Sequence, residues 1–305
     1  MRNTVLAHGW PVLGTIPELP ARWGCARVAD HVWRRRGAGV RQLEANLRRV
    51  VGPQVCDREL RALSRRGMRS YLRYFYEVVR LPAMRPHEIR HRTHVTGLAS
   101  LQEALRSGRG VVVALPHMGN WDHAGAWITL RGFPLTTVAE RLRPPELYER
   151  FSAIRSALGM EVLALDRGEA STVATLTRRL RAGGLVCLLA DRDLTGGGVE
   201  VGLFGEPARF PLGPARLAHS TGAALVPVTL TSTGHTWHIT IHPRVPRLQR
   251  ENRVVEWAAM TQQLAGVFAT AIAEHPEDWH MLQPVFAADL PAPGPGLRSP
   301  MSEAG

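Results

Sequence analysis

Lysine is absent from this chain, and cysteine is scarce. All 38 basic residues are arginine, which the codon usage of a GC-rich genome explains without a functional reason. The three cysteines, Cys25, Cys56 and Cys187, are far apart and show no Cys-x-x-Cys spacing. Disulfide frameworks and zinc sites need pairs or clusters of cysteines, so we expect neither.

Long apolar runs are also missing. A helix that crosses a bilayer needs about 18 or more consecutive apolar residues, and no segment of this sequence reaches that length. The N-terminus lacks an apolar stretch followed by the small-residue cleavage site of a secretory signal. We therefore expect a cytoplasmic protein.

Acidic side chains are outnumbered by basic ones. The 26 acidic and 38 basic residues give a net charge of +12 and a pI near 11.1. Such a charge attracts anionic surfaces, either nucleic acid or acidic lipid, and charge alone does not choose between them. With 305 residues, 45% of them hydrophobic, the chain can bury a sizeable core in one large domain.

Helical and strand patterns alternate along the chain. This order predicts an α/β fold with a mixed, mostly parallel central sheet and helices on both faces. The predicted strands are Val111–Leu115, Leu135–Ala139, Glu161–Leu165, Leu185–Ala190, Val199–Phe204, Ala224–Leu230 and Trp237–His242. The predicted helices are Val40–Val51, Asp57–Arg80, Leu98–Ser107, Trp121–Leu130, Glu146–Leu158, Ala170–Arg181, Pro214–Ser220 and Val254–Ala273.

The two ends of the chain differ from this pattern. Residues 1–40 mix tryptophans such as Trp10 and Trp23 with arginines such as Arg34. This helical arm either lies on a membrane surface, with tryptophan at the headgroup level, or packs on the main domain as a pair of helices. Residues 41–289 form the predicted main domain, and the tail 290–305 is rich enough in proline and glycine to predict disorder.

A histidine follows the most apolar strand. The run from Val111 to Leu115 predicts a fully buried strand, and His117 comes directly after its end. Ligands of α/β sheets collect at the carboxyl ends of strands. Asn120 is expected to cap a helix whose first turn contains Asp122. If His117 lies in the turn before that helix, the Asp122 carboxylate can orient its imidazole as a general base.

A second carboxylate follows another buried strand. Asp191-Arg192-Asp193 comes after the strand that ends at Ala190, so parallel strands would bring it to the same edge as His117. From the residues alone, either Asp191 or Asp122 is able to orient the imidazole. The Gly196-Gly197-Gly198 triplet that follows either forms a hairpin turn or lets the backbone approach a phosphate.

Other catalytic signatures are missing. There is no G-x-S-x-G nucleophile elbow and no H-E-x-x-H helix, which argues against serine hydrolases and zinc proteases. His235, His238 and His242 are close in sequence, but without a neighbouring cysteine or carboxylate they do not predict a zinc site. We expect no metal and no cofactor.

The motifs together resemble a known family. His117 and Asp122, separated by four residues, are similar to the signature of the lysophospholipid acyltransferase superfamily. The stretch Leu115–Asp122 resembles the bacterial lipid A acyltransferases and, more closely, the actinobacterial phosphatidylinositol mannoside acyltransferases. Further stretches agree with this branch in the same order, namely Thr137–Leu142 with Leu147–Phe151, Ala190–Thr195 and Asp278–Pro284.

The resemblance implies roles for individual residues. It favours Asp191, where the family has glutamate, as the partner of His117, with Asp122 as a support for the local turn. It also implies a glycerolipid acyltransferase-like fold and an acyl-CoA site that includes His117, Arg155, Gly197 and Ser220. The last two differ in residue type from the family.

The implied activity is an O-acyl transfer. By this resemblance, the protein moves a palmitoyl group from acyl-CoA to the mannose 6-hydroxyl of a phosphatidylinositol mannoside at the cytoplasmic face of the plasma membrane. His117 would act as the base, without a covalent intermediate. Its expected partners are acyl-CoA, the glycolipid and anionic lipid, and no nucleic acid is expected. The alternatives are an acceptor of the lipid A type or a non-catalytic basic protein that binds lipid or nucleic acid.

Overall fold

The computed structural model describes residues 16–141, 144–165, 170–194, 196–247 and 252–290. Residues 1–15 of the predicted arm and 291–305 of the predicted tail lie outside these ranges, as do Leu142 and Thr195 of the family motifs. Among the described residues, no helix combines the length and the apolar composition needed to cross a bilayer.

Three helices precede the sheet. They are α1 (Glu18–Arg35), α2 (Ala38–Val51) and α3 (Asp57–Arg80). Their facing sides share a core formed by Ala29, Val40, Leu43, Leu47, Leu60, Leu63 and Met68. The buried Asp30 carboxylate of α1 accepts hydrogen bonds from Arg65 and Arg69 of α3. The described part of the arm is therefore a helix packed on the domain, and membrane contact of its outer face stays a prediction.

The central sheet has seven strands. In chain order they are β1 (Thr93–Thr96), β2 (Val111–Leu115), β3 (Leu135–Glu140), β4 (Met160–Leu165), β5 (Leu185–Leu189), β8 (Ala224–Thr233) and β9 (Thr236–Ile241). Their spatial order is β1-β9-β8-β2-β5-β3-β4. Only the β8–β9 pair is antiparallel. A separate antiparallel hairpin is formed by β6 (Val199–Leu203) and β7 (Glu206–Phe210).

Helices cover both faces of the sheet. The β6–β7 hairpin and the helices α8 (Ala170–Arg181), α9 (Gly213–Thr221) and α10 (Arg253–Glu274) pack on one face. The other face is covered by α4 (Pro86–His91), α5 (Leu98–Arg106), α6 (Trp121–Thr129) and α7 (Pro145–Ala157). Strand β2 is buried on both sides, with Val112 and Ala114 in one core and Val113 and Leu115 in the other.

The predicted fold class is confirmed, and two details differ from the prediction. The strand predicted from Val199 to Phe204 forms, but it belongs to the hairpin, because its partner Glu206–Phe210 follows after a tight turn. Strand β1, helix α4 and strand β7 were not predicted. They are short, and β7 contains Pro207, so their patterns are too brief to stand out.

The sheet brings two strand ends together. Strands β2 and β5 are parallel neighbours in which Leu115 is paired with Leu189. Both strands end at this register, so the residues that follow them, His117 and Asp191, leave the sheet at the same edge. Asn120 caps α6 as expected, because its side-chain oxygen accepts a hydrogen bond from the His123 amide at 2.9 Å.

We predict opposite effects of adding a methyl group at two helix glycines. A Cβ at Gly125 of α6 would lie 2.7 Å from the Met160 side chain, whereas at Gly266 of α10 it would meet open space. Gly125→Ala should lower the free energy of unfolding by up to about 1 kcal/mol, because the end of the buried Met160 side chain has to move aside. Gly266→Ala should raise it by up to about 1 kcal/mol through helix propensity. Urea denaturation of both variants checks this, and a loss at Gly266 would contradict it.

Candidate active site

The His117 imidazole is held by Asp191. His117 Nδ1 lies 2.5 Å from Asp191 Oδ1, and the His117 backbone amide donates to Asp191 Oδ2 at 2.9 Å. A third donor, Trp279 Nε1, reaches Asp191 Oδ2 at 3.0 Å. The carboxylate is completely buried, so its position depends on these three donors.

These contacts set the charge of Asp191 and the tautomer of His117. Burial alone would raise the pKa of Asp191, but the neighbouring His117 and the hydrogen bonds from His117 and Trp279 lower it below its usual value. An ionised Asp191 requires a proton on His117 Nδ1. The other ring nitrogen, Nε2, then carries a free lone pair on a side chain that lines a cavity.

Asp122 has different partners. Its buried carboxylate accepts hydrogen bonds from Arg155 Nε at 2.6 Å, from Arg155 Nη2 at 3.1 Å and from the Tyr74 hydroxyl at 2.7 Å. Burial disfavours the charge of Arg155, but Asp122 outweighs this effect and raises the pKa of the guanidinium. Burial also raises the pKa of Tyr74 well above its usual value, so its hydroxyl stays protonated. Asp122 therefore stabilises the wall of the site, while Asp191 holds the histidine.

Residues 278–280 form backbone hydrogen bonds with the loop 116–120, which carries His117. The Gly119 amide donates to the Asp278 carbonyl at 2.9 Å, and the His280 amide donates to the His117 carbonyl at 2.7 Å. Gly119 has a φ of +62°, and a Cβ there would lie 2.6 Å from the Leu230 carbonyl oxygen. Only glycine fits this turn. Burial lowers the pKa of His280 to about 3, so it is a neutral structural residue.

A cavity of about 1300 Å³ opens at His117. It extends along both faces of the sheet, since Cys187 faces one core and Leu188 the other. Polar side chains such as Asp122 and Arg155 line part of it, and most of the wall is apolar. The apolar lining includes Leu115, Leu135, Val138, Phe151, Met160, Leu165, Leu176, Leu188, Leu189, Leu217 and Trp257.

The predicted acyl-CoA residues occupy different positions. His117, Arg155 and Gly197 line the cavity. Ser220 is exposed on α9, outside the cavity lining, and its hydroxyl bonds the Leu217 carbonyl at 3.2 Å. The structure thus brings three of the four residues to one cavity, and a role of any of them in binding acyl-CoA stays a prediction.

Sequence reasoning did not identify Tyr74, Glu77 or Trp279 as parts of the site. Each comes from a segment far along the chain from the residue it contacts. Trp279 carried one signal, because it lies in the Asp278–Pro284 stretch that resembles the family. Tyr74 and Glu77 lie on an amphipathic helix and carried none.

A histidine held by a buried carboxylate and lining a largely apolar cavity is an arrangement suited to the class of enzymes that transfer acyl groups. The comparisons with known proteins agree. The family model described as bacterial lipid A biosynthesis acyltransferase matches residues 4–287. A phosphatidylinositol mannoside acyltransferase of Mycobacterium tuberculosis is 44% identical over 288 residues, covering 93% of this chain and 88% of the relative. The enzyme of the same name from Mycolicibacterium smegmatis is 44% identical over 284 residues, covering 93% and 91%.

This chain belongs to the family of bacterial lipid A biosynthesis acyltransferases. The family that its motifs resemble is therefore confirmed, and the chain is an acyltransferase.

We predict that Arg155 and Asp122 depend on each other for stability. Arg155→Met should lower the free energy of unfolding by about 3–5 kcal/mol, because it leaves a buried carboxylate without its cation. The double variant Arg155→Met/Asp122→Asn should lose less than Arg155→Met alone. Denaturant titration of the double-mutant cycle measures this coupling. Arg150→Met on the same helix is a control, since no described carboxylate pairs with Arg150. A loss at Arg150 as large as at Arg155 would contradict the prediction.

We also predict a pH-dependent contribution from Glu77. This carboxyl accepts a hydrogen bond from Asn120 Nδ2 at 3.0 Å, and burial raises its pKa from 4.5 to about 7, with Arg73 opposing the shift. The folded protein then binds a proton more tightly than the unfolded chain, so Glu77 reduces stability as pH rises from about 4.5 to about 7.

Glu77→Gln removes this effect. Relative to wild type, the variant should gain about 1–3 kcal/mol in unfolding free energy between about pH 4.5 and about pH 8. Urea denaturation at the two pH values checks the difference. A constant difference between the two proteins would show that Glu77 does not titrate in this range.

Proposed function

We propose that this protein transfers a fatty acyl group from acyl-CoA to a mannose hydroxyl of a phosphatidylinositol mannoside. In this proposal the acyl group is palmitoyl, the acceptor oxygen is the mannose 6-hydroxyl, and the protein acts at the cytoplasmic face of the plasma membrane. Acyl-CoA is a co-substrate, and the proposal includes neither a cofactor nor a nucleic-acid partner.

The hydrogen bond between His117 and Asp191 is the main support for the chemical part of the proposal. His117 Nδ1 is engaged by Asp191 at 2.5 Å, so the lone pair on Nε2 is available at the cavity. A neutral imidazole with a free Nε2 is suited to accept a proton from a hydroxyl group. The ionised Asp191 stabilises the imidazolium that this proton transfer produces.

The proposed reaction needs no covalent intermediate on the enzyme. His117 Nε2 takes the proton from the acceptor hydroxyl as its oxygen attacks the thioester carbonyl, and the negative charge moves to the carbonyl oxygen. Collapse of this tetrahedral species breaks the carbon–sulfur bond, and the imidazolium returns the proton to the leaving thiolate of CoA. A thioester is already activated, so holding the two substrates together supplies much of the rate increase.

The cavity supports an acyl donor. Its apolar lining offers a place for a hydrocarbon chain, and transfer of each methylene from water into such a site is worth about 0.8 kcal/mol. Arg155 and Gly197 line the same cavity, and we propose that they contact the donor. Ser220 is a weaker part of this proposal because it lies outside the cavity lining.

The acceptor is proposed from the names of the relatives. Both mycobacterial proteins are named for acyl transfer to phosphatidylinositol mannoside, and the alignment with them includes most of this chain. The family name allows a lipid A type acceptor as the alternative.

The outer face of α1 supports the proposed membrane association. Leu19 is 73% exposed and Trp23 is 64% exposed, and the Arg27 guanidinium lies 4.8 Å from the centre of the Trp23 ring. Exposed tryptophan beside arginine is typical of surfaces that meet lipid headgroups. The segment 16–35 thus offers a surface for peripheral binding to anionic lipid.

Release of free CoA from palmitoyl-CoA, with and without a phosphatidylinositol mannoside, tests the proposal. Wild type should release CoA only when the acceptor is present. His117→Ala and Asp191→Asn should each lower the rate by ~10²-fold or more, because one removes the general base and the other removes the charge that stabilises its protonated form. His87→Ala, which changes an exposed histidine on α4, should leave the rate unchanged.

Two results would contradict the proposal in different ways. If His117→Ala matched an active wild type, the proposed base would be wrong. If wild type used a lipid A type acceptor in preference to the mannoside, the chemistry would stand and the acceptor would be wrong.

A further inference from the structure

The cavity at His117 has two arms, because it extends along both faces of the sheet. The α6–α7 arm lies between the sheet and helices α6 and α7. Its lining includes the strand residues Leu115, Leu135, Thr137, Met160, Cys187 and Leu189. The other arm runs along α8, α9 and α10, where the lining residue Val173 is 46% exposed. An arm that is open to solvent does not limit the length of a bound chain, so the α6–α7 arm is the one that is able to measure length.

Strand pairing gives the depth of the α6–α7 arm. Leu189 is the last residue of β5, at the edge of the sheet that carries His117. Leu135 is level with Leu185, the first residue of β5, and Met160 is paired with Leu135. The two ends of this five-residue strand are about 13 Å apart. An extended hydrocarbon chain advances by about 1.25 Å per carbon, so this depth corresponds to up to about ten carbons.

Three residues close the deep end of the α6–α7 arm, and we call them the floor. Leu135 and Met160 are the first residues of β3 and β4, and both line the cavity. Gly125 of α6 packs against both of them. A Cβ at Gly125 would lie 2.7 Å from Met160 Cε, 2.8 Å from Met160 Sδ and 3.4 Å from Leu135 Cδ2. The end of the methionine therefore fits at the floor because residue 125 has no side chain.

The wall above the floor is compatible with a hydrocarbon chain. Asp122 and Arg155 line the cavity on this face, but they are paired with each other at 2.6 Å. The Thr137 hydroxyl donates to the Cys187 carbonyl at 2.9 Å. Each of these polar groups has a partner within the protein, so an apolar chain beside them leaves none of them unsatisfied.

We propose that the floor of Gly125, Leu135 and Met160 sets the length of the acyl chain that the enzyme transfers. This inference rests on the acyl-CoA-dependent activity proposed above. The chain lies in the α6–α7 arm, with its thioester at His117 and its methyl end against the floor. A chain that is too long does not bring its thioester to the imidazole. A chain that is too short leaves apolar wall uncovered and loses about fourfold in affinity for each missing methylene.

The floor can be moved in either direction by single substitutions. Met160→Ala removes three side-chain atoms and deepens the arm by about two carbons. Space is present at this end of the sheet, where a separate cavity of about 570 Å³ is lined by Phe133, Pro134 and Leu185. Gly125→Ala has the opposite effect, because the added methyl group displaces the end of Met160 and the free space beside it is the α6–α7 arm.

Donor chain-length profiles test the inference. The kcat/KM for CoA release is measured with myristoyl-, palmitoyl- and stearoyl-CoA, each below its micelle concentration, and with a phosphatidylinositol mannoside as acceptor. Met160→Ala should raise the stearoyl-to-palmitoyl ratio by about tenfold. Gly125→Ala should raise the myristoyl-to-palmitoyl ratio by about tenfold.

Two controls carry the same substitutions outside the α6–α7 arm. Met260→Ala changes a buried methionine in the core on the other face of the sheet. Gly266→Ala changes an exposed glycine of α10. Both should leave the ratios within about twofold of wild type. A ratio between two donors on one protein sample does not depend on the fraction that is folded, so a loss of stability does not imitate the effect.

The outcomes separate this inference from the proposed function. Opposite shifts in the two floor variants, without shifts in the controls, would support the inference. Unchanged ratios in both floor variants of an active enzyme would overturn it and leave the proposed function standing, and equal shifts in the controls would also overturn it. If wild type released no CoA from any donor, the proposed function would fail and this inference with it. If circular dichroism shows that Met160→Ala is unfolded, Gly125→Ala and its control decide.

Discussion

The contact between His117 and the buried Asp191 carboxylate is the interaction on which the candidate site depends. It joins three parts of the chain, because Trp279 donates to the same carboxylate. A fully buried charge is costly unless its hydrogen-bonding capacity is used, and here three donors use it. Those donors meet only when β2 and β5 are paired and the segment after α10 has returned to the sheet. The imidazole is therefore oriented by the completed fold and not by its local sequence.

Asp191 and Asp122 have different partners in the candidate site. Asp191 fixes the tautomer of His117, whereas Asp122 forms an ion pair with Arg155 and accepts a hydrogen bond from the Tyr74 hydroxyl. Both are buried, and the partners of Asp122 are Arg155 and Tyr74, which come from two other helices. The two residues of the His117–Asp122 motif therefore make separate contacts in the site: the histidine with Asp191, and the aspartate with Arg155 and Tyr74.

Much of the fold could be predicted from sequence, because it depends on local patterns. The apolar runs located six of the seven sheet strands, and their order predicted a mostly parallel sheet. The residues after strand ends located His117 and Asp191. The hairpin position of Val199–Leu203 and the contacts of Tyr74 and Glu77 could not be predicted. They depend on which distant segments meet. The sequence pattern of an amphipathic helix such as α3 predicts that one of its faces is buried, but it does not predict which segment that face contacts.

Strand β2 lies at the centre of the sheet, between β8 and β5, and all five of its residues are buried. Backbone amides in such a strand exchange with solvent only when the whole domain unfolds. His117 is the second residue after this strand, so its loop is tied to the part of the molecule that opens last. Fraying of α1 or of the outer strand β4 would leave that loop in place. Thermal inactivation and global unfolding are then expected to be a single cooperative event.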